Sequence, residues 1–232
     1  KAFSGHWKEK GMQAVFFIAA CTSILAVALI CIFLFANGLP AIAEIGPLDF
    51  LLGKTGRPAN DLYGIFPFFL GSIYVTAGAI VFGVPIGILT SIFMAEYCPA
   101  KIYRPLKAAT ELLAGIPSVV YGFFGMLVLV PFIRETTGSK GNVMLTACIL
   151  LGIMILPTII SVSESALRAV DNSYYEGALA LGATHERSVF KVVLPAASSG
   201  VLAGVILGIG RAIGEAMAVS MVAGNQPIIP ES

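Results

Sequence analysis

The sequence predicts an all-α polytopic membrane protein. Apolar side chains make up 57% of the 232 residues before any of the 25 glycines is counted. Charged residues make up 12%, about half the share of an ordinary soluble domain. The apolar residues also gather in runs of roughly 20 or more, the length a helix needs to cross the hydrocarbon layer. A water-soluble enzyme is excluded on this composition, and a formal charge of +1 provides no electrostatic footprint for nucleic acid.

In chain order, residues 1–37 read as a short cytoplasmic segment followed by a first transmembrane helix at about 12–36. This run is too long for the apolar region of a cleavable signal peptide. Residues 38–70 form an extracytoplasmic loop, in which Tyr63, Phe66, Phe68 and Phe69 suit the headgroup boundary. Residues 71–223 hold four more spans, at about 71–95, 108–132, 143–162 and 197–223, with a cytoplasmic loop at about 163–195. Residues 224–232 begin another outside loop, and its polar, proline-broken ending leads us to expect a truncated polypeptide. Cys21, Cys31, Cys98 and Cys148 lie in or beside apolar runs and read as packing residues.

The basic residues set the topology, because Lys and Arg in short loops are retained on the cytoplasmic side. Lys1, Lys8, Lys10, Lys101, Arg104, Lys107, Arg168, Arg187 and Lys191 fall on one side, against Lys54, Arg57, Arg134 and Lys140 on the other. The N-terminus and the 163–195 loop are therefore expected in the cytoplasm of a prokaryotic plasma (inner) membrane.

That loop carries most of the chemical information. Residues 175–184 are small and helix-prone, carry in Gly182 a glycine suited to a helix C-cap, and lead to a second helical stretch closing at Leu194-Pro195, with the cytoplasmic helix expected at about 174–183. Little side-chain bulk lets a partner approach the backbone closely, as a helix laid in a groove requires. The segment resembles the EAA loop of ABC-transporter permeases, in which Glu-Ala-Ala, three residues, Gly, nine residues, Ile, one residue and Leu-Pro follow in order. Glu176, Gly177, Ala178, Gly182, Val192, Leu194 and Pro195 stand at the matching positions. Gly177 and Val192 depart from the pattern, and Gly177 weakens the helix by up to about 1 kcal/mol relative to alanine.

From Asn60 onward the chain resembles the C-type permeases of bacterial phosphate-specific (Pst) ABC transporters. The resemblance is carried by Asn60-Asp61-Leu62-Tyr63-Gly64, Gly83-Val84-Pro85-Ile86-Gly87, Ala95-Glu96-Tyr97, the stretch from Glu111 to Gly122 around Gly115-Ile116-Pro117-Ser118, and Gly210-Arg211-Ala212-Ile213-Gly214-Glu215-Ala216. It implies a MetI-like permease domain whose cytoplasmic coupling helix docks on an ATPase, with Glu176, Gly177, Ala178, Leu181 and Gly182 as coupling residues. It implies as partners a homologous A-type permease, two copies of a cytoplasmic ATP-binding subunit, an extracytoplasmic phosphate-binding protein and membrane lipid. ATP and Mg would be bound by the ATPase and no cofactor by this chain, which has no P-loop pattern. The resemblance further implies one more span after Gly224. Import of another oxyanion, molybdate or sulfate, is the alternative.

Arg211 and Glu215 stand near the middle of the fifth predicted span, where a charge costs about 2.5–3.5 kcal/mol on insertion scales. At about 100° per residue they share a stripe with Gly200, Gly204 and Gly208. The stripe is expected to face the partner permease, since small residues four apart let helices approach closely in lipid. One reading makes Arg211 and Glu215 neutralise each other across one helical turn. The other makes Arg211 a ligand for passing anion, exchanging between Glu215 and phosphate oxygens. Ser118 is a weaker pathway candidate, while Glu111 is balanced between a pathway role and a pair with Lys107. His6 and His185 have no metal-ligand spacing, no metal site is expected, and His185 is expected on the solvated side of the loop.

Overall fold

The computed structural model describes residues 3–53, 56–57, 62–138 and 144–224. The Asn60-Asp61 start of the first motif, Lys54, Lys140, Val143 and the 225–232 tail lie outside these residues. The chain divides into two units, residues 1–67 and 68–232.

The first unit consists of α1 (Phe3–Ile45), α2 (Pro47–Leu52) and a hairpin of β1 (Gly56–Arg57) and β2 (Leu62–Tyr63). The strands pair antiparallel, Gly56 opposite Tyr63 and Arg57 opposite Leu62. Residues 11–43 carry no charge, so α1 is long and apolar enough to span a membrane. Gly46 ends it with φ at 95°, where a side chain would be strained. Pro47 then starts α2 from a position whose N–H would be unpaired in any case.

The second unit is built around α7 (Met144–Arg168), the most buried of the long helices. On one side packs α3 (Phe66–Ile92), which runs into a wide π-helical turn at Phe93–Tyr97. On another packs α11 (Ser198–Ile213). Both neighbours present glycines to α7, and a β-carbon on any of them would overlap it. Gly78 meets Cys148, Gly83 meets Ile155, Gly87 meets Ile159, Gly200 meets Ala166, Gly204 meets Ser163 and Gly208 meets Ile159. With no hydrophobic drive between helices in lipid, such close backbone approach supplies the packing energy.

Two predicted spans are interrupted. The third, read as one helix over 108–132, is α4 (Ala100–Gly115), a break at Ile116 and Pro117, and then α5 (Ser118–Phe124). A wide turn at Gly125–Leu129 carries α5 into α6 (Val130–Thr137). Proline has no N–H to donate and its ring forces Ile116 into an extended conformation, with ψ at 126°. The membrane-crossing run is thus 118–137, and α4 is a separate amphipathic helix on which Glu111 is exposed. The Tyr121 hydroxyl donates to Leu113 O across the break at 2.8 Å.

The fifth span, read as 197–223, is α11 followed by α12 (Met217–Ala223), with Gly214, Glu215 and Ala216 between them. Sixteen residues give α11 a length of about 24 Å, short of a bilayer core of about 30 Å. Before it, α9 (His185–Ser188), a wide turn at Val189–Val193 and α10 (Leu194–Ala196) make one arm that meets α11 at a 70° bend. Between α7 and α9 lies α8 (Asn172–Ala180).

Candidate functional site

The structure separates Arg211 from Glu215. Arg211 lies in the last turn of α11 and donates from Nη1 to Thr158 Oγ1 of α7 at 3.3 Å. Glu215 lies in the break, and its Oε1 accepts from the Ala218 amide at 3.1 Å, so it caps the first turn of α12. Among the described residues no ion pair joins the two, and mutual neutralisation one turn apart is not the arrangement found. The helix that would have held them at i and i+4 ends at Ile213, because Gly210 and Gly214 weaken its last turn by about 1 kcal/mol each. Arg211 is half-buried and uses one of five donors on Thr158, so most of its fork is unengaged among the described residues.

The glycine stripe must be corrected. Gly200, Gly204 and Gly208 face α7 of the same chain rather than a partner, and Arg211 continues that row onto Thr158. Close to this end of α11, α5 and α12 pack together: a β-carbon on Gly122 would come within 3.0 Å of Ala218 Cα. Tyr121, Leu150, Met154, Ala218 and Val222 form the apolar cluster between them and α7. The two backbone breaks, at Ile116-Pro117 and at Gly214-Ala216, therefore open α5 and α12 side by side. Irregular backbone at membrane depth is tolerated where it is buried in protein or lines a polar cavity. Ser118, half-buried, is the first residue of α5 after the break.

The surface helix α8 holds the second constellation. Asp171 caps it by accepting from the Ser173 amide at 2.8 Å, and bonding to Ser173 holds the Asp171 carboxyl below its usual range. Its far end closes with Gly182 N–H on Leu179 O at 2.9 Å and Ala183 N–H on Ala178 O at 3.1 Å, a Schellman pair. Gly182 sits at φ 84° with open space around its α-carbon, so glycine is required there by backbone conformation alone. Glu176 accepts from Asn172 Nδ2 at 2.6 Å, and Gly177 is exposed. Leu181 is 91% exposed, and Tyr174 and Leu179 are exposed as well. Leu181 and Ala178 border a cleft of about 540 Å³ with Tyr174, Gly182, Arg187 and Lys191. A helix with small residues, an apolar rim and two cations beside it presents a docking surface.

His185 is not simply solvated. Its ring lies edge-on to Tyr97 at 4.7 Å, and Nδ1 shares a hydrogen bond with the Tyr175 hydroxyl at 2.7 Å, which ties α8 to the end of α3.

Replacing Gly182 with valine is expected to strain the chain reversal by about 1–2 kcal/mol and to unwind the end of α8. Membrane levels should stay normal while the transport that the loop's resemblance implies falls. Quantitative blotting beside an uptake assay decides it, and full uptake would refute the coupling role that the resemblance implies for this end.

Sequence reasoning overlooked Glu164. It is 1% exposed, near the end of α7. Lys107 Nζ of α4 reaches its Oε2 at 2.5 Å, and Arg168 Nε reaches Oε1 at 2.5 Å. The Tyr103 hydroxyl donates to Oε1 at 2.7 Å, and this bond to the carboxylate raises the Tyr103 pKa. Lys107 is thereby committed to Glu164 rather than to Glu111. The available signal was a carboxylate four residues before Arg168, between Ser163 and Ser165 just past the fourth apolar run.

Residues 83–231 match a family described as "Binding-protein-dependent transport system inner membrane component". The chain belongs to this family. As a binding-protein-dependent inner membrane component it is a multi-pass membrane protein of the ABC transporter permease class, and the family implies a substrate-binding protein and an ATPase as partners in general.

Among its relatives is "Probable ABC transporter permease protein YqgH" of Bacillus subtilis, 42% identical over 93% of this chain and 72% of that protein. The phosphate transport system permease proteins PstC of Mesorhizobium japonicum and Haemophilus influenzae are 35% and 32% identical. They align with 84% and 100% of this chain, which spans 66% and 80% of their respective lengths. A solved structure of the MetNI methionine ABC transporter is 23% identical, covering 64% of this chain and 69% of that one, with a TM-score of 0.45.

Proposed function

We propose that the chain is a permease subunit of an ATP-driven inorganic phosphate importer and lines half of its translocation pathway. The observation that carries this reading is its likeness to PstC proteins, 32–35% identical over 78–100% of the chain. The same relatives favour phosphate over molybdate or sulfate. In this reading α8 docks on a cytoplasmic ATPase present in two copies, which binds ATP and Mg. A homologous A-type permease supplies the other half of the pathway, and an extracytoplasmic phosphate-binding protein delivers the substrate. The N-terminus is cytoplasmic, with Arg104, Lys107, Arg168, Arg187 and Lys191 on that same side.

The site chemistry agrees with anion passage. A guanidinium stays ionised at any physiological pH and can replace water around two phosphate oxygens at once. Since Glu215 is engaged with the Ala218 amide, Arg211 meets the anion without first leaving a carboxylate, and Thr158 holds it between passages. Ser118, beside the other break, offers a hydroxyl to the same path.

The test is isolation of the complex in mild detergent with identification of its components, followed by labelled phosphate uptake in proteoliposomes. We expect an ATPase, a second permease and ATP-dependent uptake that excess molybdate and sulfate leave unchanged. Uptake abolished by either competitor would overturn the substrate assignment.

A further inference from the structure

Glu164 gathers α4 and α7 onto one buried carboxylate, and Arg168 extends the cluster to the turn that ends α3. Lys107 and Tyr103 reach it from α4, and Arg168 reaches it from one turn further along α7. Arg168 does more than balance charge. Its Nη2 donates to Met94 O in the wide turn that ends α3, at 2.8 Å, while its guanidinium carbon lies 4.4 Å from the centre of the Tyr103 ring. In a π-helical turn the Met94 carbonyl would be taken by the amide five residues on. That residue is Pro99, which has no N–H, so the carbonyl is left for the guanidinium.

The cluster lies directly beneath the surface helix. Arg168 is the last residue of α7, and α8 begins at Asn172 after the Asp171 cap. Leu167 belongs to a buried apolar cluster with Ile92, Val189 and Val193, against which Val170 and Tyr175 pack. The base of α8 is thus seated on α3 and α7, two of the helices that the cluster joins, and on the arm that carries Val189 and Val193. Apolar residues of similar volume would pack there at least as stably. What the charged arrangement adds is direction: Nε on Glu164 and Nη2 on Met94 O hold one orientation of α7 against α3.

Resting on the permease reading above, we propose that the Glu164 cluster is the joint through which movement of α8 reaches the spans, with Arg168 as its positioning residue. Displacing α8 pulls on Arg168 through three residues of chain. Arg168 then carries α3 through Met94 and α4 through Glu164, so the spans turn as a body rather than letting α8 swing alone.

Arg168→Lys keeps the charge, but one ammonium cannot bond Glu164 and Met94 O in the same fork geometry. In the assembled transporter in proteoliposomes we expect this variant to hydrolyse ATP while phosphate moved per ATP falls roughly 3- to 30-fold. Tyr103→Phe, which keeps the ring and loses one hydrogen bond, should lower the ratio about 2- to 3-fold, and it decides the question if Arg168→Lys does not assemble. A purely structural cluster would reduce the amount of complex and leave the ratio unchanged, which would overturn the proposal.

Spin labels at exposed Ile102 and Leu202 provide a second arm that needs no phosphate. The distance between them should shift on trapping with ATP and vanadate in the unmodified complex and stay fixed in Arg168→Lys. An equal shift in both refutes the joint. Were the unmodified complex to hydrolyse ATP without moving phosphate, the substrate assignment would fail while the labels still decided the role of Arg168.

Discussion

Arg211→Gln is expected to reduce phosphate uptake by roughly 10- to 100-fold in a complex that still assembles. Hydrogen bonds to charged groups contribute about 1.5–3 kcal/mol, and glutamine retains a donor for Thr158 while losing both the charge and the fork. Fold and assembly should survive because the side chain is only half-buried and, among the described residues, makes a single hydrogen bond at 3.3 Å. Arg211→Lys separates charge from geometry: it should recover part of the rate, since an ammonium attracts the anion without gripping two oxygens. Initial rates of labelled phosphate uptake, normalised to purified complex, measure both variants. Unchanged uptake by Arg211→Gln would remove this residue from the pathway. The structure sharpens the accompanying expectation for Glu215. Because its carboxylate caps α12, Glu215→Gln should retain much of the function and Glu215→Leu should loosen the α11–α12 break.

A larger loss of stability is expected at Gly208. A β-carbon there would lie 2.7 Å from Ile159 Cγ1 and 3.0 Å from its Cδ1. A surface side chain would turn away, but Ile159 has nowhere to go. On its other flank a β-carbon on Gly87 of α3 would lie 2.8 Å from Cγ2 and 3.0 Å from Cβ of the same residue, so glycines from two helices clasp it. Gly208→Ala should therefore destabilise by roughly 1–3 kcal/mol, and Gly208→Leu should prevent α11 from seating on α7. Thermal unfolding of the detergent-purified complex reads the first, and recovery of folded protein from membranes reads the second. Pairing Gly208→Ala with Ile159→Ala gives an internal control, because removing Cγ1 and Cδ1 makes room and the combined effect should fall short of additive. A Gly208→Ala protein as stable as the unmodified one would show that the seam has slack.

Particular residues show how far the sequence could be read. The apolar runs, the excess of Lys and Arg on alternate loops and the EAA-like loop were legible because each follows from local spacing. A span needs about 20 apolar residues, and a helix that must end at Gly182 announces itself through glycine. The break at Ile116-Pro117 was also written locally, since proline removes an amide and restricts its predecessor, yet the apolar run continued across it and hid the change of direction. The break at Gly214-Glu215-Ala216 was concealed by the same continuity. With α11 stopped at Ile213, the expected Arg211–Glu215 pair gave way to two separate bonds, one to Thr158 and one to the Ala218 amide.

By itself the sequence determined the lipid solvent of this protein, its set of apolar runs, its charge asymmetry and the glycine that closes α8, because hydropathy, propensity and backbone strain act within a few residues. Tertiary structure alone decided which surfaces meet. The stripe Gly200-Gly204-Gly208 lies on α7 instead of a partner, and Glu164 collects Lys107 and Tyr103 from 57 and 61 residues away. The period of a helix says which residues share a face, but not which of several equally apolar neighbours will cover it. That choice depends on fit between whole helices, where a glycine must find an Ile159 and a buried carboxylate its donors.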